Sequence, residues 1–270
     1  MGPGISGPLV PFVGWLIGAW GWRTAAVISG IALLIVSAPV AFAINRIADA
    51  QEAEMDRGSD AKAHVGHSSH GPADPQFTLA EVLRLKSFWY LSTSGALRHM
   101  VTEGVSVHFV ILLVDRGWSM AAASSLLGLS TIIGAPARIG MGWLGDMVEK
   151  RLLIMGLLLA LSVSVFFMGW SADPMIFTPF MVIYSLSYGG LASLQEPIRA
   201  DYFGVKAFAT IQGMSRTVTT IGTFMGPVVA GFCYDVTKSY TIAFSIFAAV
   251  SLVSTLLMFL AKRPKARDEI

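Results

Sequence analysis

Apolar residues run almost unbroken through seven stretches that carry no Asp, Glu, Lys or Arg: 1–22, 24–45, 117–137, 152–172, 174–195, 217–234 and 239–261. About 20 apolar residues wound into a helix cross a bilayer, so most of these stretches have membrane-spanning length. The runs are continuous, whereas the strands of an outer-membrane barrel would alternate at every second residue. They predict helices at about 4–20, 22–44, 87–114, 119–144, 151–171, 175–197, 207–233 and 239–261, eight spans in all. The span over 87–114 differs from the rest, because Arg98, His99, Glu103 and His108 interrupt it near mid-depth.

The pattern changes between the second and third spans. Asn45 to Gln76 mixes Asp, Glu, Gly, Ser, Pro and His with almost no large apolar residues, which predicts a flexible loop that buries no core. Phe77–Lys86 (FTLAEVLRLK) then has apolar residues at helical spacing behind Thr78 as N-cap, which predicts a short amphipathic helix on the membrane surface. The expected division is therefore 1–44, two helices; 45–86, linker; 87–261, six helices; and 262–270, a tail. His64, His67 and His70 have a spacing that could hold a metal on one helical face, but their acidic, glycine-rich surroundings favour a solvated linker.

Composition narrows the class further. With 54% hydrophobic and 13% charged residues and a mean hydropathy of +0.65, a soluble globule is excluded. The single cysteine, Cys233, excludes a disulfide framework, and a net charge of +2 is too small to point to nucleic acid. The first residues lack the basic segment of a cleavable signal peptide.

The distribution of lysine and arginine sets an expected orientation, because cytoplasmic loops are enriched in both. The 45–86 linker, the turns at 145–151 and 198–206 and the tail hold 13 of them, against Arg23, Arg116 and Lys238 on the opposite side. Both termini and the linker are thus expected in the cytoplasm, with the chain multi-pass in the cell membrane. Arg98, Arg138 and Arg216 fall inside spans.

An internal repeat is visible. Gly7-Pro8-Leu9-Val10, Gly14 and Arg23-Thr24-Ala25-Ala26 parallel Gly226-Pro227-Val228-Val229, Gly231 and Tyr240-Thr241-Ile242-Ala243. Gly142-Trp143-Leu144-Gly145-Asp146-Met147-Val148-Glu149-Lys150-Arg151 resembles the cytoplasmic-loop motif of the major facilitator superfamily, with Glu149 where Gly is usual and Met147 where Arg is frequent. Together with Gly222-x3-Gly226-Pro227 and the stretch around VHFVILLVDRGW, it resembles the monocarboxylate-porter and oxalate/formate-antiporter-like branch. That resemblance implies an all-α facilitator-type bundle comprising helices 5–12 of a twelve-helix fold, with the first four helices absent. A fragment or a misplaced start codon is the expected explanation, and a self-sufficient eight-helix protein the alternative.

Ionisable residues at bilayer depth mark candidate chemistry. Arg138 lies roughly 12 Å along the helix from Asp146; the resemblance implies a role in anion binding, and its planar fork can grip a carboxylate through two hydrogen bonds. Snorkelling to the interface is the competing account. Arg216, at a depth of roughly 14 Å, precedes Thr217, Thr219, Thr220 and Thr223, whose hydroxyls could line a polar cavity; an ion pair with a carboxylate such as Glu103 competes. His99 and Glu103 sit four apart on one helical face, a pair suited to proton coupling or to a closed structural network. Arg98 points elsewhere on the helix, towards Thr102, and His108 towards the outer mouth. Gly142, Asp146, Lys150 and Arg151 are expected to act as a cytoplasmic gate. Glu196, Arg199 and Asp201 are expected to form a surface network.

No G-x4-G-K-[ST], H-E-x-x-H or G-x-S-x-G motif occurs, so neither ATP-driven transport nor an enzyme is expected, and no cofactor. The function expected is secondary active transport of a small organic anion, a mono- or dicarboxylate, by alternating access with proton coupling. The alternatives are a truncated, non-transporting fragment or subunit, which would need the missing helices or another chain, and a drug or cation exporter of the same superfamily.

Overall fold

The computed structural model describes residues 16, 20, 21, 23–32, 35, 77–171, 173–204 and 208–264. The expected span over 4–20, most of that over 22–44, the linker with His64, His67 and His70, the first Gly-Pro copy and the end of the tail lie outside these residues. The chain divides into two compact units, 9–72 and 73–270 together with 1–8. In the first, Arg23–Ala32 is a short apolar helix, α1.

The second unit opens with α2 (Leu79–Arg84) and continues as six helices long and apolar enough to cross a membrane. These are α3 (Lys86–Asp115), α4 (Met120–Met147), α5 (Lys150–Trp170), α6 (Pro174–Phe203), α7 (Phe208–Thr237) and α8 (Thr241–Leu260). Each coincides with one of the last six expected spans. In hydrocarbon a backbone polar group finds no water, so a helix that satisfies its own ladder is the stable state of such segments. The ends are marked by local chemistry: the Ser119 hydroxyl accepts from the Ala122 N–H, Asp173 caps α6 ahead of Pro174, and Gly204 stops α6 with a φ of 76°.

Two expectations need correction. Helix α6 runs to Phe203, past the expected end at 197, because Ile198, Arg199, Tyr202 and Phe203 are buried and packing holds the last turns. Helix α2 does not rest its apolar face on lipid alone. Val82 is fully buried and Leu79 and Leu83 pack against the bundle core, while the Trp89 indole donates to the Leu83 carbonyl at 3.0 Å. The N-terminus of α2 is closed by a capping box in which the Thr78 N–H donates to Glu81 Oε2 at 2.8 Å.

The closest partners are mostly not consecutive: α3 packs along α7 and α8, α4 along α6, and α5 along α6 and α8. Small residues set two close crossings. A Cβ on Gly222 would overlap the Ala96 carbonyl and one on Gly226 that of Met100, while α4 and α6 meet where a Cβ on Gly189 would overlap the Gly134 carbonyl. Two arginines tie helix ends together. Arg116 donates to the carbonyls of Met168, Gly169 and Ser171 at the end of α5, and Arg151 to those of Met258 and Phe259 at the end of α8. Both satisfy carbonyls that a helix C-terminus leaves open. Burial lowers the Arg116 pKa, with Asp115 opposing the shift.

Candidate intramembrane anion site

Helices α3, α4, α6 and α7 line an open cavity of about 660 Å³ in the half of the bundle nearer the α6–α7 turn. Four arginines line it, Arg98, Arg138, Arg199 and Arg216, against two carboxylates, Glu103 and Glu196. Charges are rare at this depth unless they pair or face a cavity. An ion pair joins Arg216 Nη2 to Glu196 Oε1 at 2.8 Å. The partner of Arg216 is thus Glu196 on α6, not Glu103 on α3. Both side chains are more than half exposed, at 69% and 52%, so water screens the pair and its net contribution is within about 1 kcal/mol.

Arg138 turns into the cavity. Its guanidinium stands 5.7 Å from the centre of the Tyr188 ring, and its buried Nε has no hydrogen-bond partner. It also borders a second cavity of about 150 Å³ with Ser130, Thr131 and Tyr184. The guanidinium thus lies on the cavity wall beside an aromatic face.

Arg98 Nη2 donates to His99 Nε2 at 2.7 Å and to Gln195 Oε1 at 2.6 Å. The expected approach to Thr102 is absent; the Thr102 hydroxyl donates to the His99 carbonyl at 3.3 Å instead. A guanidinium has no acceptor atom, so His99 Nε2 accepts, and the imidazole is neutral with its proton on Nδ1. His99 and Glu103 both face the cavity, but no hydrogen bond joins them, and Glu103 has no ion pair within 4 Å among the described residues. With His99 neutral, the cavity carries two more positive than negative charges.

Arg199 corrects the expectation of a surface network on α6. It is 4% exposed, and its Nη1 donates to Gln212 Oε1 at 2.9 Å, while Gln212 Nε2 donates to Glu196 at 3.0 Å. Asp201 points the other way and pairs with Lys150 at 2.8 Å. The separation is helical: residues 196 and 199 lie three apart on one face, and 201 falls on another. Sequence reasoning passed over Gln195, Arg199 and Tyr188 as site residues, although Tyr188, Gln195 and Arg199 recur at offsets of 7 and 4 as a polar stripe through an apolar span. Thr219, Thr220 and Thr223 do line the cavity, Thr217 does not, and the hydroxyl protons of all four go to carbonyls three or four residues back. Their oxygens remain available only as acceptors.

At the α4–α5 turn, Gly145, Asp146, Lys150, Arg151 and Asp201 border a separate pocket of about 470 Å³. Gly142 lies beside Ser193 of α6 and Asp146 is exposed. The basic residues reach past Asp146, Lys150 to α6 and Arg151 to α8. Towards the other end of α3, His108 Nε2 donates to the Pro227 carbonyl at 3.2 Å, and Nδ1 shares a hydrogen bond of 3.0 Å with the Tyr240 hydroxyl.

Comparison with known proteins gives a consistent family. Residues 1–197 and 149–270 match the Major Facilitator Superfamily. Monocarboxylate transporter 13 of Rattus norvegicus is 26% identical over 55% of this chain and 35% of its own length. Monocarboxylate transporter 4 of the same organism is 24% identical over 74% of this chain and 44% of its own. The YdfJ protein of Escherichia coli (strain K12) is 27% identical over 93% of this chain and 57% of its own. Among solved structures, the human organic anion transporter MFSD10 (TETRAN) has the same fold, with a TM-score of 0.56 and 17% identity over 69% of this chain and 43% of that one. The chain therefore spans less than two thirds of the length of these relatives.

Proposed function

The chain belongs to the Major Facilitator Superfamily, and on that premise we propose that it serves secondary transport of a small organic anion, a mono- or dicarboxylate, by alternating access. The observation that carries this reading is the excess of guanidinium over carboxylate in one intramembrane cavity. Such a cavity attracts carboxylates and repels organic cations, which argues against a cation exporter. The names of the monocarboxylate transporters among the relatives support the same class.

Within this proposal Arg138 holds a substrate carboxylate, with its fork preoriented by Tyr188, and Arg216 guards the cavity mouth while paired to Glu196. Glu103 is the proton-coupling carboxylate. Protonating it removes a negative charge from the cavity and strengthens anion binding, so by linkage a bound anion favours the proton, as symport requires. His99 acts second, because it can take a proton at Nε2 only after releasing Arg98. Gly142, Asp146, Lys150 and Arg151 form the gate at the α4–α5 turn, through the links from Lys150 to α6 and Arg151 to α8. Residues 1–44 correspond to the last two helices of an N-terminal bundle, 45–86 to a linker and 87–261 to the C-terminal bundle, with both termini in the cytoplasm and the remaining helices supplied by another part of the protein or a partner.

The test is equilibrium binding of lactate, succinate and a quaternary ammonium dye to the 270-residue chain in lipid nanodiscs. Saturable carboxylate binding is expected. Binding of the dye without either carboxylate would overturn the anion reading.

A further inference from the structure

Arg98 on α3 and Arg199 on α6 are the most deeply buried cations of the site, at 5% and 4% exposure. Neither has a carboxylate within 4 Å among the described residues. Their hydrogen bonds end on neutral acceptors, His99 and Gln195 for Arg98 and Gln212 for Arg199, and Arg98 Nε is buried without any partner. A buried guanidinium without a countercharge is strongly unfavourable, and a second one lining the same cavity compounds the repulsion.

Both arginines and Gln195 border the large cavity, which has room for a carboxylate, whereas the recess of about 20 Å³ beside them is lined mostly by apolar side chains and admits little more than one water. Gly95 lets the Gln195 and Arg199 side chains pack directly against α3: a Cβ there would overlap the Gln195 amide nitrogen and stand 3.5 Å from Arg199 Nη2. Because Gln195 Oε1 accepts from Arg98, its amide N–H groups remain available as further donors.

We infer that Arg98, Arg199 and Gln195 form a second anion subsite, separate from Arg138, and that the substrate is a dicarboxylate whose two ends occupy the two subsites. This rests on the reading of the cavity as an organic-anion site and narrows it to one class. Each guanidinium can supply charge-assisted donors to a carboxylate, and the second carboxylate neutralises charge that the protein itself leaves unbalanced. A monocarboxylate satisfies one subsite only.

The test measures binding of radiolabelled succinate and lactate to the purified chain in lipid nanodiscs, for the unmodified protein, Arg199→Gln, Arg98→Gln and Arg138→Gln. Succinate is expected to bind more tightly than lactate. Arg199→Gln and Arg98→Gln are expected to shift the succinate-to-lactate affinity ratio towards lactate by about tenfold to a hundredfold, the effect of losing one charge-assisted hydrogen bond. Arg138→Gln should weaken both acids. Without ligand, Arg199→Gln is expected to melt at or above the unmodified protein, because it removes an uncompensated buried charge. Equal affinity of the unmodified protein for both acids, an unchanged ratio in the variants, or a lowered melting temperature without ligand would each overturn the second subsite while leaving the anion reading intact. Binding of neither acid would overturn the anion reading itself.

Discussion

Replacing Arg138 by lysine separates recognition by shape from recognition by charge. Arg138 Nε is buried without a hydrogen-bond partner, and the guanidinium stands 5.7 Å from the Tyr188 ring centre. Lysine keeps the positive charge and can keep the cation–π contact, so Arg138→Lys should change unfolding free energy by less than about 1 kcal/mol. The liganded state differs. A carboxylate held by a fork loses one of two parallel charge-assisted hydrogen bonds when the fork becomes a point-like ammonium, at a cost of about 1.5–3 kcal/mol. At about 1.4 kcal/mol per factor of ten, affinity should fall roughly 10- to 150-fold. The assay is titration of the purified chain in nanodiscs with lactate and succinate, with thermal unfolding followed in parallel. Near-normal affinity in the lysine variant would remove Arg138 from the site. A melting temperature lowered by many degrees would instead make it a structural residue.

In a protein carrying the full set of helices, Glu103→Gln should abolish the response of uptake to a pH gradient while leaving substrate exchange measurable, because the amide cannot release a proton; unchanged gradient-driven accumulation in proteoliposomes would make Glu103 structural. Gly222→Ala should destabilise the bundle by about 1–3 kcal/mol, since its Cβ would overlap the Ala96 carbonyl at the α3–α7 crossing. Gly213→Ala on the same helix meets nothing within 4 Å and should gain about 0.5–1 kcal/mol, so equal thermal shifts for the two would refute the packing argument. Asp201→Asn should cost less than about 1 kcal/mol in a denaturation series, because the Lys150–Asp201 pair is partly exposed, with side chains 19% and 45% accessible. Maleimide labelling of cysteines placed at Gly58 and Ser171 in intact cells should reach Ser171 only; labelling of Gly58 from outside would reverse the orientation drawn from the Lys and Arg distribution.

The helices were legible because hydropathy over some twenty residues is a local property, and hydrocarbon leaves the backbone little alternative to a helix. The sequence therefore determined the six spans from Lys86 onwards within a few residues, the family, and the presence of arginines and a glutamate at membrane depth. It did not determine their partners. Arg98 and Arg199 lie 101 residues apart and line one cavity only because α3 and α6 border it together. Arg216 pairs with Glu196, 20 residues away across the α6–α7 turn, when Glu103 was an equally charged candidate in sequence. Lys150 reaches Asp201 on α6 and not the nearby Asp146. Charge type and depth are written along each helix, but which charges meet depends on how helices rotate and cross. That is decided by glycine contacts such as Gly222 on Ala96 and Gly189 on Gly134, where backbones approach in three dimensions.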